Sequence, residues 1–295
     1  MNKVMKKLLC ACLALAMLIT IIPPVTTTQA ATKTKNLTLY KGEKYYLTNY
    51  NTVTGVSSTK KSVVAIAKDK KYDTHANITA KKAGVSTITV KTKRGTMKYK
   101  ITVKNLAVTG TLRDMGNGKL LLTVKNKTKS TFSSVTLEYT LKNEAGEVVE
   151  KDKVNVYDVV AGKTVYKSIW YSTYNYTVDV SQCSVKAVSD DRNPTYTYTN
   201  RSSKITASVE ETISDNGDVE FSVKSKNTLK KDRVNGYHYI ILYDAQNNII
   251  GLETVSIYLN AGAVSTDTAK YIAPYNTQQP YDHYKLITVA YSYKY

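Results

Sequence analysis

Beyond residue 31, the chain consists of short runs in which apolar and polar residues alternate. Ile88 to Lys91, Tyr99 to Lys104 and Leu122 to Lys125 all repeat with a period of two. This period places one face of a strand against a core and the other in water. No long stretch has apolar residues at helical spacing. The pattern therefore predicts an all-β protein.

The second part of the chain repeats with an offset of about 100 residues. Residues 117–125 align with residues 216–224, and each segment opens on an Asn-Gly pair, which favours a hairpin turn. The alignment predicts two β units, residues 105–200 and 201–295. We expect the polar stretch from Asn193 to Ser203 to be the linker between them.

Residues 36–104 have a pattern of their own. Leu39 to Glu43 reads Leu-Tyr-Lys-Gly-Glu, Val63 to Ile66 forms an apolar run, and Ile78 to Val90 surrounds Gly84. Glycine suits a turn between two strands because it lacks a Cβ atom. Together these residues resemble the bacterial Ig-like domain, group 2. The resemblance implies a β-sandwich and a place in the stalks and adhesive modules of bacterial surface proteins.

The second repeat contains Leu242-Tyr243-Asp244 after Ile240. This motif resembles the family of small extracellular Ig-like domains named for Phe-x-Leu-Tyr-Asp, although the first repeat keeps only Tyr139 and Leu141 of it. That resemblance implies no settled chemistry. The expected architecture is three tandem Ig-like β-sandwich domains after a signal peptide.

The N-terminus has the composition of a secretory signal. Lys3, Lys6 and Lys7 precede the apolar run Leu8 to Ile22, whose 15 residues are fewer than the roughly 20 that a spanning helix needs. Small residues then precede Ala31. We predict that residues 1–30 are removed on secretion, leaving no transmembrane segment in the mature chain. The alternative is an uncleaved anchor.

Removal of the signal leaves Cys183 as the one cysteine, so no disulfide can form within the chain. Secreted chains without disulfides are typical of Gram-positive export. Cys183 could link two copies, but a small buried strand residue is the simpler interpretation. The last strand, from Val289 onward, carries no sorting motif, so we expect any association with the cell wall to be non-covalent.

Positive charge is concentrated at the start of the mature chain. Residues 31–104 contain 17 basic and three acidic side chains, for +14, whereas residues 105–295 contain 22 and 20, for +2. A useful field requires these charges to cluster, because exposed charges are screened beyond ~10 Å at 0.1 M salt. A net positive charge on an extracellular protein favours anionic polymers as partners. We expect no nucleic-acid partner.

A hairpin with Arg94-Gly95 at its tip would provide such a cluster. Lys91 would then lie opposite Lys98, with Lys93 and Lys100 diagonal to them, and the alternating apolar residues would point inward. Like charges directly opposite each other destabilise a hairpin, and a bound polyanion would relieve the repulsion. The alternative is a lysine-rich face that only keeps the strands soluble.

Aromatic side chains offer a second candidate site. Trp170, Tyr171 and Tyr174 lie close together in sequence and could stack on the apolar faces of sugars. The chain has 25 tyrosines but two phenylalanines and one tryptophan, so tyrosine must also serve as a core residue here. Packing within the core is the simpler explanation of the cluster.

Catalytic motifs are absent from the sequence. The three histidines, His75, His238 and His283, have no metal-ligand spacing. No Gly-x-Ser-x-Gly elbow, phosphate loop or His-Glu-x-x-His occurs, and no metal or cofactor is expected. The sequence predicts a secreted, non-catalytic surface protein that adheres or associates with the wall through its basic module. The alternatives are a carbohydrate-binding or enzyme-accessory protein and an unrecognised hydrolase.

Overall fold

The computed structural model describes residues 34–48, 51–172, 177–191, 196–273 and 281–294. Within them the chain is all-β, which confirms that part of the prediction, and its several sheets are consistent with β-sandwiches. Two short 3₁₀ helices, Val180–Gln182 and Ser202–Lys204, lie between strands. None of the described helices is long and apolar enough to cross a bilayer. The predicted signal peptide lies outside the described residues.

The segment before the repeats forms two sheets that share one core. Its strands are β1 (Thr34–Tyr40), β2 (Lys44–Thr48), β3 (Val53–Ser58), β4 (Val64–Lys68), β5 (His75–Ala80), β6 (Gly84–Thr92) and β7 (Gly95–Lys104). One sheet has the order β1-β7-β6-β3 and the other β2-β5-β4. Strand β1 runs parallel to β7. Leu39, Ile78, Ile88 and Ile101 are buried between the sheets, as the period-two pattern requires.

The first repeat also has two sheets. Its strands are β8 (Val108–Asp114), β9 (Lys119–Asn126), β10 (Phe132–Lys142), β11 (Val148–Val159), β12 (Thr164–Trp170) and β13 (Ser184–Asp191). The sheets have the orders β12-β9-β8 and β11-β10-β13. Leu120, Leu137 and Val165 are fully buried in the core between them.

The second repeat follows the same strand order with one addition. Its strands are β14 (Thr197–Asn200), β15 (Ile205–Ile213), β16 (Val219–Asn227), β17 (Val234–Tyr243), β18 (Ile249–Leu259), β19 (Val264–Tyr271) and β20 (His283–Lys294). The sheets have the orders β15-β16-β19 and β14-β20-β17-β18. The expectation of a linker from Asn193 to Ser203 is wrong for its later part, because β14 pairs with β20.

A buried asparagine occupies the same place in both repeats. Nδ2 of Asn126, at the end of β9, donates to the carbonyls of Ser130 and Val159 at 2.9 Å. Nδ2 of Asn227, at the end of β16, donates to the carbonyls of Asp232, Leu259 and Asn260 at 2.9–3.2 Å. Each amide therefore ties the end of its strand to a loop and to the edge of the facing sheet.

The two repeats pack against each other through the outer faces of their sheets. In β17, Ile240 and Leu242 point into the core of the second repeat, whereas Ile241 packs with Leu121 and Met115 of the first repeat. Strand β17 is thus buried on both faces. The Tyr166 and Tyr239 rings meet across the same junction, 5.3 Å apart between centroids.

Tyr40 connects the first segment to the first repeat. Its ring packs edge-on against Phe132 at 5.2 Å, and its hydroxyl bonds the Ser130 Oγ atom at 3.2 Å. In the turn between β1 and β2, the backbone N–H of Tyr40 donates a hydrogen bond to the fully buried carboxylate of Glu43 at 2.8 Å.

Candidate binding surfaces

The predicted basic hairpin exists, but its register differs from the expectation. Lys91 pairs with Thr96 and Lys98 with Thr89, so Lys91 does not lie opposite Lys98. The turn consists of Lys93 and Arg94, between the paired residues Thr92 and Gly95. The predicted repulsion between directly opposed lysines is therefore absent.

The cations nevertheless share one exposed surface. The basic hairpin face comprises five exposed side chains, Lys91, Lys93, Arg94, Lys98 and Lys100. Lys98 and Lys100 are alternate residues of β7, and Lys91 is diagonal to Lys98 on β6. Alternate residues of a strand are about 7 Å apart, and diagonal neighbours are similarly spaced. These separations are within the ~10 Å screening length, so the fields of the charges add.

The three carboxylates of this segment form no ion pairs with the hairpin cations, although Asp73 lies near the hairpin tip through Thr52. Glu43 is buried. Asp69 accepts hydrogen bonds from the N–H groups of Lys71 and Tyr72, which lower its pKa, and Asp73 accepts one from Thr52. Among the described residues, no carboxylate lies within 4 Å of a hairpin cation.

The remaining cations of the segment are distributed unevenly. The backbones of Lys60, Lys81 and Lys82 hydrogen-bond to Val63, which brings these residues to one end of the segment. The outward positions of β5 instead carry no lysine or arginine: His75, Asn77 and Thr79. Lys68, Lys70 and Lys71 lie at the other end of β4, so cations also lie at both ends of the segment in addition to the basic hairpin face.

The residues of the predicted aromatic cluster face different environments. The Trp170 side chain is 65% exposed, and Nζ of Lys119 lies 4.4 Å from its ring centroid. Tyr171 packs against the core of the first repeat, where burial raises the pKa of its hydroxyl. Tyr174 lies outside the described residues. Trp170 and Tyr171 therefore lie in different surroundings, and the stacking role of this cluster stays a prediction.

The histidines are separated, as the sequence indicates. His238 is fully buried in the second repeat, and its ring nitrogens contact Ser225 Oγ at 2.8 Å and Thr288 Oγ1 at 2.9 Å. Burial lowers the pKa of His238 to about 4. Within the described ranges, no group of three or more side chains is arranged to hold a metal ion.

Cys183 lies just before β13 and is half-buried rather than a buried strand residue. Its Sγ atom donates to the carbonyl of Asp179 at 3.2 Å. Burial raises the pKa of the thiol, so little reactive thiolate is present at neutral pH.

A cleft at the junction of the two repeats was missed from the sequence. Four tyrosines line it, contributed by three strands: Tyr157, Tyr166, Tyr237 and Tyr239. Tyr157 is 56% exposed at its mouth, whereas Tyr239 is buried. The only signal in the sequence was the run of consecutive apolar residues in β9 and β17, which a strand with one solvated face would not have.

Comparisons with known proteins give no family for this chain. No protein-family model matches it, and no curated protein does. Among solved structures it is similar to SGBP-B of the Bacteroides ovatus mixed-linkage glucan utilization locus, in complex with a mixed-linkage heptasaccharide. That match has 9% identity and a TM-score of 0.20 over 89% of this chain and 75% of the other. The chicken CNTN1 FN1–FN3 domains match at 12% identity and a TM-score of 0.13, over 84% and 94%.

Proposed function

We propose that this chain is an extracellular, non-catalytic protein whose first segment binds an anionic polymer through the basic hairpin face. The observation that carries the proposal is that this face presents five exposed cations, none of which forms an ion pair with a described carboxylate. A flexible polymer with regularly spaced negative charges can contact several of these cations at once. Its binding releases counterions and weakens as salt is added.

The surroundings of the protein follow from the N-terminal sequence. A basic, apolar and then small-residue pattern over residues 1–30 supports secretion. The resemblance of residues 36–104 to group 2 bacterial Ig-like domains supports a surface or matrix protein with three Ig-like modules. Anionic wall polymers or polysaccharides would be within reach in that compartment, and electrostatic attraction would retain the protein there.

The test compares two variants that lose the same charge. In one, Lys91, Lys93, Lys98 and Lys100 are replaced by serine. In the control, serine replaces four exposed lysines of the repeats: Lys125, Lys127, Lys224 and Lys226. The measurement is co-sedimentation with isolated Gram-positive cell walls, and retention on heparin, at 50 and 500 mM NaCl.

We expect the parent chain to bind at low salt and to be released at high salt. The hairpin variant should elute at clearly lower salt than the control, because the control keeps the clustered cations. Binding that does not change with salt, or equal loss in both variants, would contradict the proposal.

A second candidate function is carbohydrate binding at Trp170. The observation that favours it is the large exposed fraction of this ring, since an indole face stacks well on a sugar. Trp170→Ala should then abolish binding to a glycan whose affinity does not depend on salt. A glycan array that shows no difference between Trp170→Ala and the parent chain would remove this candidate.

A further inference from the structure

The cleft between the repeats has a volume of about 230 Å³. Its walls come from both repeats, with Val156, Tyr157, Tyr166, Lys167 and Ser168 on one side and Tyr237, Tyr239, Leu252 and Thr254 on the other. Junctions between domains are common positions for ligand sites because two rigid surfaces form a concave space there. The apolar contribution is mainly from aromatic rings.

Polar groups of the cleft are available for a ligand. The hydroxyls of Tyr157, Ser168 and Thr254 and the ammonium of Lys167 make no hydrogen bond or ion pair within the described residues. The Tyr166 and Tyr237 hydroxyls likewise have no hydrogen-bond partner in that part of the chain. Burial raises the pKa of both phenols, so they stay protonated as donors at neutral pH. The cleft thus combines ring faces with unpaired hydroxyls.

A left-handed residue lies directly beside the cleft. Asp158 has a φ of 53° within β11, a conformation that costs of order 1 kcal/mol or more for a residue other than glycine. Its carboxylate is held in place because Oδ1 accepts a hydrogen bond from the Tyr291 hydroxyl of the second repeat at 2.7 Å. Backbone conformations of this kind persist where tertiary contacts hold them, and here the contact comes from the second repeat.

We propose that this cleft binds a unit of a neutral polysaccharide. Aromatic faces pack on the C–H surfaces of a sugar ring, and hydroxyl and ammonium groups satisfy its oxygen atoms. Trp170 follows Ser168 by two residues on the same face of β12, about 7 Å further along the strand, so a longer chain could reach it. The proposal is independent of the anionic polymer, because its site contains one lysine and lies on other elements.

The experiment is isothermal titration calorimetry of the full mature chain in 500 mM NaCl, which suppresses binding at the basic hairpin face. The probes are soluble glucan, xylan and mannan oligosaccharides. The variants are Tyr157→Ala, which removes the exposed ring, and Tyr237→Phe, which removes one hydroxyl. Tyr46→Ala is the matched control, because Tyr46 is 60% exposed in the first segment. Trp170→Ala separates the cleft from the second candidate function.

At least one probe should bind the parent chain and Tyr46→Ala equally. Tyr157→Ala should weaken binding about tenfold or more, and Tyr237→Phe by a smaller factor. A loss in Trp170→Ala in addition would place a longer ligand along β12. The proposal is overturned if none of the three probes binds, or if binding is lost in Trp170→Ala while Tyr157→Ala binds like the parent.

Discussion

Two partly or fully buried ionisable side chains in the second repeat respond to pH in opposite directions. Burial lowers the pKa of His238 to about 4 and raises the pKa of Glu253 to about 7. Nearby Lys119 opposes the second shift without cancelling it. Burial in the folded chain favours the neutral form of both side chains. In the unfolded chain both side chains are solvated and ionise more readily.

The sign of each effect follows from proton linkage. Since the folded pKa of His238 lies below its unfolded value of about 6.5, its contribution to stability is complete above pH 6.5 and is lost as the pH falls towards 4. For Glu253 the folded pKa lies above 4.5, so stability is highest below pH 4.5 and falls as the pH rises to about 7. In the parent chain the two pH dependences of stability act over overlapping pH ranges and partly cancel.

Replacing Glu253 should reveal the effect of His238. In Glu253→Gln, we expect the free energy of unfolding to fall on the order of 2 kcal/mol from pH 8 to pH 5, because the unfolded histidine takes up a proton. In Glu253→Gln combined with His238→Gln, the same measurement should be nearly flat. Urea unfolding at both pH values checks this, and an equal decrease in both variants would show that other groups are responsible.

At the scale of elements, the buried asparagines are the clearest structural equivalence between the repeats. The side-chain amides of Asn126 and Asn227 donate to the buried carbonyls of Val159 and Leu259, and the Oδ1 atom of each accepts a backbone N–H two residues later. A buried polar group that loses its partner costs about 1–3 kcal/mol. These two positions should therefore matter to stability far more than exposed asparagines do.

Asn126→Ala and Asn227→Ala should each lower the free energy of unfolding by about 3 kcal/mol, through carbonyls left without donors. The control is Asn105→Ala, since Asn105 is exposed and should change stability by less than about 0.5 kcal/mol. Chemical denaturation of the three variants checks this. A small effect at one of the two buried positions would show that the repeats are not stabilised in the same way.

The hairpin of β6 and β7 shows what an alternating pattern can and cannot determine. The inward positions of Ile88, Val90, Tyr99 and Ile101 are confirmed, because burial selects one face of a strand. The predicted register was wrong, because the turn lies at Lys93-Arg94 and not at Arg94-Gly95. This difference shifts the cross-strand partner of each residue by two positions, but each side chain still points to the same face of the sheet, so the alternating pattern cannot distinguish the two registers. Turn position therefore has to come from backbone geometry, which a single sequence specifies weakly.

At the scale of the whole molecule, contact between the repeats was the main feature that the sequence did not predict. Leu120, Leu121 and Leu122 are consecutive and all buried, and so are Ile240, Ile241 and Leu242. A sandwich standing alone would bury alternate residues only. Such runs fit strands that are covered on both faces, but the covering surface depends on long-range packing that periodicity does not encode.

This packing predicts that the two repeats unfold as one cooperative unit. Ile241→Asn should remove about 2–4 kcal/mol of coupling, because a polar group replaces an aliphatic one against Leu121 and Met115. The neighbouring core residues Ile240 and Leu242 remain, so each repeat should stay folded.

Denaturant-dependent hydrogen exchange should give equal opening free energies for β9 and β16 in the parent chain and different values in the variant. The control Val148→Asn, at an exposed position, should keep them equal. Equal values in Ile241→Asn would contradict this prediction and would mean that other contacts of the junction couple the repeats.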